Sequence, residues 1–220
     1  MTRKVFWQEP YRTELETHVH DVRGPIVTLE DTIFYAFSGG QESDEGTIGG
    51  HRVREARKEG SGIYYALDEG HGLTPGTAVT VRIEWERRYR LMRLHFAAEL
   101  VLELVSRRVE GIPKIGAHIA QDKARIDFLY PGSIASLLPE ISLQALRIVT
   151  SNQPIVSAFS DEAAGLRYWE VEGFARVPCG GTHLKRTGEV GEIELKRKNI
   201  GKGKERIEVF LKGEPLLSAA

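Results

Sequence analysis

The chain has 220 residues, and its 30 basic and 31 acidic side chains give a formal net charge of -1. Hydrophobic residues make up 41% and charged residues 28%, which is typical of a folded globular protein and excludes wholesale disorder. The near-neutral charge also excludes a basic field over the whole molecule, so any contact with nucleic acid must come from local patches.

Three features of the sequence predict a cytoplasmic protein. The first residues contain no apolar run of signal-peptide length, and no stretch of the chain reaches the length of a membrane span. The single cysteine, Cys179, cannot form an intrachain disulfide and fits a reducing compartment. We therefore expect no membrane partner. We also expect no DNA partner, and the sequence predicts nothing about the oligomeric state.

Residues 1–86 contain short β-forming runs separated by glycine and turn residues, which predict a small antiparallel, barrel-like β domain. The predicted strands are residues 17–22, 25–29, 32–37, 62–66 and 77–85. Between the third and fourth strands, residues 38–50 include five glycines in thirteen positions. This segment is too irregular for a nucleotide-binding fingerprint and predicts a hairpin loop.

A helical pattern covers residues 87–107, after which Gly111 and Pro113 predict its end. One apolar stripe of this helix is formed by Leu91, Leu94, Ala98, Leu102 and Val105. His95 and Glu99 lie together at the edge of the stripe because residues four apart share a helix face. The helix thus presents two candidate metal ligands beside the core.

Residues 87–220 are predicted to form an α+β domain in which helices pack on an antiparallel sheet. The elements expected after the first helix are strands at residues 125–129, 167–172, 192–197 and 206–211, and a helix at 134–149. Residues 201–204 read as a basic hairpin turn. The whole chain is therefore predicted to be an α+β protein with two domains, residues 1–86 and 87–220.

The residue types that bind zinc recur at two places along the chain. His95 and Glu99 stand one helical turn apart, and Cys179 and His183 flank a Gly-Gly-Thr segment that permits a tight backbone. Zinc prefers nitrogen and sulfur donors in tetrahedral array. Each pair alone is commonly incidental, but together they predict a metal site made of His95, Glu99, Cys179 and His183.

The motifs identify the chain, over nearly its full length, as similar to the AlaX alanyl-tRNA editing proteins, which are free-standing relatives of synthetase editing domains. The segments that carry the resemblance are Leu29-Glu-Asp-Thr-Ile-Phe-Tyr35, Gly39-Gly-Gln-Glu-Ser-Asp-Glu-Gly46, Arg88-Tyr-Arg-Leu-Met-Arg-Leu-His95, Arg125-Ile-Asp-Phe128, Pro178-Cys-Gly-Gly-Thr-His183 and Gly201-Lys-Gly-Lys-Glu-Arg206. The leading Gly-Gly-Gln domain resembles the longer AlaX form. The resemblance implies zinc-dependent hydrolysis of mischarged tRNA for alanine, carrying serine or glycine.

One position departs from the pattern of this family. The family has His-x-x-x-His on the helix, with both histidines binding zinc, whereas this chain has Glu99 in the second place. A carboxylate there lowers the formal charge of the zinc site from +1 to 0, which weakens its pull on water and on an anionic intermediate.

Three interpretations of Glu99 stay open at this point. Glu99 can be the fourth ligand, or it can act as a general base while His95, Cys179 and His183 bind the metal. Alternatively, the substitution has abolished metal binding. The third interpretation corresponds to the alternative function, a non-catalytic tRNA- or synthetase-binding module that keeps the editing fold.

Basic residues cluster at the start of the first helix and near the C-terminus, and such clusters can bind the phosphates of tRNA. The candidate tRNA contacts are Arg87, Arg88, Arg93, Lys202, Lys204 and Arg206. A solvated charged face is the competing interpretation for each of them. Thr182, next to His183, is a candidate contact to the substrate hydroxyl, with a structural hydrogen bond as the alternative.

Overall fold

The computed structural model describes residues 2–213. Antiparallel sheets and the helices described below build an α+β fold, which confirms the predicted fold class. The chain divides into two compact units, with the boundary between Arg90 and Leu91. Neither α-helix within residues 2–213 is both long enough and apolar enough to cross a membrane.

The first unit is built around a curled antiparallel sheet. Its strands are β1 (Arg3–Lys4), β2 (Glu14–Arg23), β3 (Ile26–Leu29), β4 (Asp31–Thr32), β5 (Gly46–Ile48), β6 (His51–Arg52), β7 (Glu55–Glu59), β8 (Gly62–Ala66) and β9 (Ala78–Ile83). The main sheet has the strand order β6-β5-β9-β2-β3-β8-β7, while β1 pairs in parallel with β4. The central strand β2 therefore bonds to both halves of the sheet.

Alternating side chains explain why these segments form strands. Along β2, Leu15, Thr17 and Val19 are buried, and the polar residues between them are exposed, which matches the two-residue period of a half-buried strand. Gly46 begins β5 where that strand crosses β9 closely, because a Cβ at this position would collide with the carbonyl oxygen of Arg82. The glycine-rich segment thus includes a short strand as well as a loop.

The strand predicted at residues 32–37 is wrong beyond Thr32. Residues 32–36 are all buried, so they lack the alternation of a half-buried strand, and residues 33–36 belong to no strand. The Tyr35 N–H donates to Asp44 Oδ2 at 2.6 Å, and Arg88 donates to the carbonyl of Ile33 at 2.6 Å. Side-chain partners replace the sheet ladder here.

Helix α1 (Trp85–Arg108) confirms the predicted first helix and extends it by a residue or two at each end. The prediction of a single apolar stripe is too narrow, because residues 91–98 are buried on every face of the helix. His95 is accordingly buried rather than at an edge, and Glu99 is only partly exposed. The ligand-bearing turn of α1 is enclosed by protein.

The second unit contains the remaining strands and a second helix. These elements are β10 (Lys114–Ile119), β11 (Ala124–Leu129), α2 (Leu138–Thr150), β12 (Val156–Asp161), β13 (Leu166–Val171), β14 (Ala175–Pro178), β15 (Glu192–Gly201) and β16 (Lys204–Lys212). One antiparallel sheet has the order β10-β11-β16-β15, and another has the order β12-β13-β14. A 3-10 turn at Ile134–Leu137 precedes α2, so the predicted second helix starts with a tighter turn.

The sequence analysis did not predict β10, β12 and β14. Strand β12 is exposed or half-buried along its whole length, and β10 buries only its last residue, so neither shows a period-two pattern. Strand β14 is important for the site because it ends at Pro178, directly before Cys179. It pairs with β13, which brings Trp169 opposite Val177.

Candidate metal centre

The four predicted ligand residues lie together in the second unit. His95 and Glu99 come from consecutive turns of α1, while Cys179 and His183 come from the segment that follows β14. One donor atom from each residue lies within 4.8 Å of the donor atoms of the other three. Residues 84 positions apart in the chain are thus brought to one place.

Three of the distances between these donor atoms match the edges of a zinc tetrahedron. Bonds of about 2.0 Å to nitrogen and about 2.3 Å to sulfur imply donor-to-donor distances of about 3.3–3.8 Å. Cys179 Sγ lies 3.3 Å from Nε2 of His95 and 3.3 Å from Nε2 of His183. The Glu99 oxygens lie 3.5 Å and 4.0 Å from the same two nitrogens. The donor set, one thiolate, one carboxylate and two imidazoles, is therefore compatible with zinc.

Gly181 allows the Cys179–His183 segment to approach α1. A Cβ at this position would lie 2.6 Å from Cε1 and 2.9 Å from Nε2 of His95, closer than side-chain atoms pack. Its backbone N–H also points to Cys179 Sγ at 3.4 Å. The glycine thus allows His95 and the cysteine loop to occupy neighbouring positions.

A second set of side chains orients the ligands, and the sequence analysis missed it. Ser157 Oγ on β12 lies 2.9 Å from His183 Nδ1 and can accept its N–H. The lone pair of Nε2 then lies on the side of the ring that faces Cys179 and can bind a metal. The indole N–H of Trp169 on β13 donates to Glu99 Oε2. Alternation along residues 166–171 marks Trp169 as inward-facing, but no sequence signal marks its partner.

Burial and charge set the protonation of the cluster. Burial disfavours a charged imidazole at His95, but the neighbouring Cys179 and Glu99 outweigh it and raise the pKa of His95 to about 10. Burial lowers the pKa of His183 to about 3, and the charge on His95 contributes to this shift. Burial alone would raise the pKa of Glu99, but the charge on His95 outweighs it and holds this pKa below its ordinary value.

A proton on His95 therefore offsets part of the negative charge of the cluster. A metal dication between the four donors would replace that positive charge, since imidazole binds metals only as the neutral base. The cluster thus has the electrostatics of a cation site, in which a proton and a metal compete.

The predicted tRNA-contacting arginines have protein partners. Arg88 is 0% exposed and pairs with Asp44, and Arg93 is buried and donates to the carbonyl of Val190 at 3.1 Å. Because neither guanidinium is open to a phosphate, we correct both to structural residues. Arg87 is mostly buried and donates to Glu42 at 2.9 Å. Arg206 is 17% exposed and makes a two-pronged pair with Asp127.

The remaining candidates differ in exposure. Lys202 and Lys204 are exposed at the turn between β15 and β16, where the sequence predicts a basic hairpin turn. Thr182 is 1% exposed beside His183. A contact between Thr182 and a substrate stays a prediction.

Comparisons with known proteins agree with the resemblance in the motifs. Residues 167–208 match the domain described as the threonyl and alanyl tRNA synthetase second additional domain. The alanyl-tRNA editing protein AlaX-M of Pyrococcus horikoshii is 33% identical over 216 residues, which cover 96% of this chain and 98% of that protein. AlaX-M of Methanosarcina acetivorans is 30% identical, with 94% of this chain and 98% of that protein covered.

The chain also matches part of a longer enzyme. The alanine–tRNA ligase of Ignicoccus hospitalis is 33% identical over 220 residues, which cover 88% of this chain but 24% of the ligase. In contrast, the match to the two AlaX-M proteins extends over almost the full length of both partners. The chain therefore belongs to the family of alanyl-tRNA editing proteins that includes AlaX-M.

Proposed function

We propose that the protein is a zinc-dependent aminoacyl-tRNA deacylase that hydrolyses mischarged tRNA for alanine, with Ser-tRNA as the first substrate and Gly-tRNA as the second. The observation that carries this proposal is the cluster of four donors that lie within 4.8 Å of one another. The names of the full-length relatives, alanyl-tRNA editing proteins, supply the substrate class.

In this proposal His95, Glu99, Cys179 and His183 hold the metal. Zinc, when bound, supplies Lewis-acid polarisation and charge stabilisation. The ester between an amino acid and the terminal ribose is already activated, so holding it beside a water requires no covalent nucleophile. Cys179 is committed as a ligand in this arrangement, and Ser157 keeps the His183 ring in the orientation that directs Nε2 to the site.

We further propose that Glu99 is a ligand rather than a general base. Its Oε1 lies 3.5 Å from Nε2 of His95, within the edge range of a tetrahedron, while Oε2 lies 4.0 Å from Nε2 of His183. A carboxylate that acted on a water at an open fourth position would stand farther from the other donors. The distances favour a closed set of four.

The test measures bound zinc and deacylation of Ser-, Gly- and Ala-tRNA forms of the alanine tRNA by the wild-type protein. We expect about one zinc per chain and hydrolysis of the Ser form before the correctly charged Ala form. Cys179→Ala is the matched control, and it should lose both zinc and hydrolysis while the fold is retained. Wild-type protein that binds no zinc and hydrolyses none of the three would instead support the non-catalytic binding module.

Two substitutions at Glu99 separate its alternative roles. If Glu99 is a ligand, Glu99→Gln should lose most of the zinc, and Glu99→His should keep it because imidazole is itself a good zinc donor. Retained zinc with lost hydrolysis in Glu99→Gln would contradict the ligand role and favour the general base.

We also propose that Lys202 and Lys204 contact the tRNA backbone. Both are exposed and stand at one hairpin turn, whereas the arginines nearby pair with carboxylates. A phosphate can therefore approach these lysines without breaking an ion pair formed within residues 2–213.

A further inference from the structure

The two oxygens of the Glu99 carboxylate have different surroundings. Oε1 lies 3.5 Å from Nε2 of His95, and Oε2 lies 4.0 Å from Nε2 of His183. Oε2 accepts the hydrogen bond from the indole N–H of Trp169. Without this bond, the carboxylate could bind a cation through either oxygen or through both. The bond therefore distinguishes the two atoms.

Trp169 is held firmly enough to impose that choice. It lies on β13 and is 0% exposed, so its N–H has no access to water and requires an acceptor inside the protein. The ring packs edge-on against Phe96 at 5.0 Å and stacks with Phe174 at 6.4 Å. The position of the N–H is therefore fixed by packing that does not involve Glu99.

We propose that Trp169 is a positioning residue of the metal centre, which holds Oε2 of Glu99 so that the carboxylate binds the metal through Oε1 alone. This inference rests on the proposed metal site, and it adds a residue that is not itself a ligand but holds one. Hydrogen bonds to metal ligands commonly fix ligand orientation in this way.

Single-oxygen binding has a consequence for the geometry of the site. A carboxylate that binds through both oxygens raises the coordination number, whereas Oε1 alone keeps the set of four donors at four coordination. Trp169 would thus fix the coordination number of a bound metal as well as the orientation of the carboxylate.

The experiment uses full-length protein and the metals Zn²⁺ and Co²⁺ as probes. Affinity for Zn²⁺ is measured by competition with a chelator for wild type, Trp169→Phe, Glu99→Ala and the double variant. We expect Trp169→Phe to weaken binding by about 10- to 100-fold. In the Glu99→Ala background the same change should have almost no effect, because the oxygen that Trp169 holds is gone.

The matched control is Phe174→Leu, which removes the stacking partner of Trp169 and leaves the hydrogen bond. It should lower the melting temperature but not the affinity for Zn²⁺. Visible absorption of the Co²⁺-loaded protein gives an independent reading of coordination number. Wild type should show the intense bands of four coordination, and Trp169→Phe should lose intensity as the second oxygen binds.

A measurement that keeps the tryptophan covers the case in which Trp169→Phe fails to fold. The chain has three tryptophans, so nitrogen-15 labelling yields three indole N–H resonances. One of them should shift between wild type and Glu99→Ala, since it loses a charged acceptor. Equal losses of affinity from Trp169→Phe in both backgrounds, or three unshifted indole resonances, would overturn the proposal.

These readouts do not involve tRNA. Coupling between Trp169 and Glu99 in a protein that hydrolyses no aminoacyl-tRNA would refute only the deacylase function. Hydrolysis by a protein without that coupling would refute only the positioning role of Trp169.

Discussion

Asp44 in the first unit and Glu99 in the second are both withdrawn from solvent, but their charges are balanced in different ways. Asp44 is buried and pairs with the guanidinium of Arg88, whose Nε donates at 2.8 Å. It also accepts the Tyr35 N–H at 2.6 Å, and Arg88 donates further to the carbonyls of Pro10 and Ile33. Glu99, 20% exposed, instead faces two imidazoles and a thiolate.

This difference separates a structural charge from a ligand-binding charge. The Asp44 pair has a permanent cation and hydrogen bonds that tie residues distant in the chain to one another. The Glu99 cluster includes a transferable proton on His95, which another cation can replace, although the permanent charge of Arg167 also acts on Cys179 and His183. Burial alone therefore does not identify a functional site, whereas the nature of the balancing charge does.

The largest effect is expected where the internal pair is broken. Asp44→Ala leaves Arg88 buried without its counter-ion, and such a loss costs about 3–5 kcal/mol of unfolding free energy. Glu99→Ala in metal-free protein should cost less, because His95 can give up its proton. Chemical denaturation followed by circular dichroism measures both variants.

An exposed pair in the same unit provides the control for Asp44. Glu14 binds Arg82 at 2.8 Å, but both side chains are more than half exposed. Glu14→Ala should cost far less than Asp44→Ala because solvent screens such pairs. Similar losses for Asp44→Ala and Glu14→Ala would remove the distinction between the two kinds of charge.

A smaller effect is expected for Ser157→Ala, which tests how the ligands of the Glu99 cluster are oriented. Without the hydroxyl of Ser157, the His183 ring loses the partner that orients it, and affinity for Zn²⁺ should fall about 10-fold. Chelator competition measures this change. Ser160→Ala on the same strand is the control, since its hydroxyl bonds the carbonyl of Leu166 instead; an equal loss there would refute an orienting role.

The smallest effect concerns exposed charges that remain available to a ligand. Lys202→Ala and Lys204→Ala should each weaken tRNA binding a few-fold and reduce the slope of log affinity against log salt by about 1. Lys58→Ala, an exposed lysine of the first unit, is the control. An unchanged salt slope in both hairpin variants would exclude these lysines from the tRNA surface.

Sequence patterns predicted the parts of the molecule that follow local rules. The alternation in β2, the helix around His95 and the Cys-x-x-x-His segment could each be recognised within a few residues. The buried segment after Thr32 was mistaken for a strand because its partners, Asp44 and Arg88, come from elsewhere in the chain. A hydrophobic run does not reveal whether strands or side chains bond its backbone.

The residues that support the ligands could not be predicted for a related reason. Trp169 lies 70 positions from Glu99, and Ser157 lies 26 positions from His183. Each meets its partner only because β12, β13 and β14 pair as one sheet, and β12 lacks an alternating pattern. The ligands were recognisable by residue type, whereas their supports depend on tertiary pairing.

Strand β15 has a consequence for solubility. It is ten residues long and forms the edge of its sheet within residues 2–213, a geometry that invites pairing with the sheet of another molecule. Exposed Lys196 and Lys198 place positive charge along this edge and oppose such stacking of molecules. Replacing Lys196 and Lys198 by neutral residues would therefore promote aggregation, whatever its effect on tRNA binding.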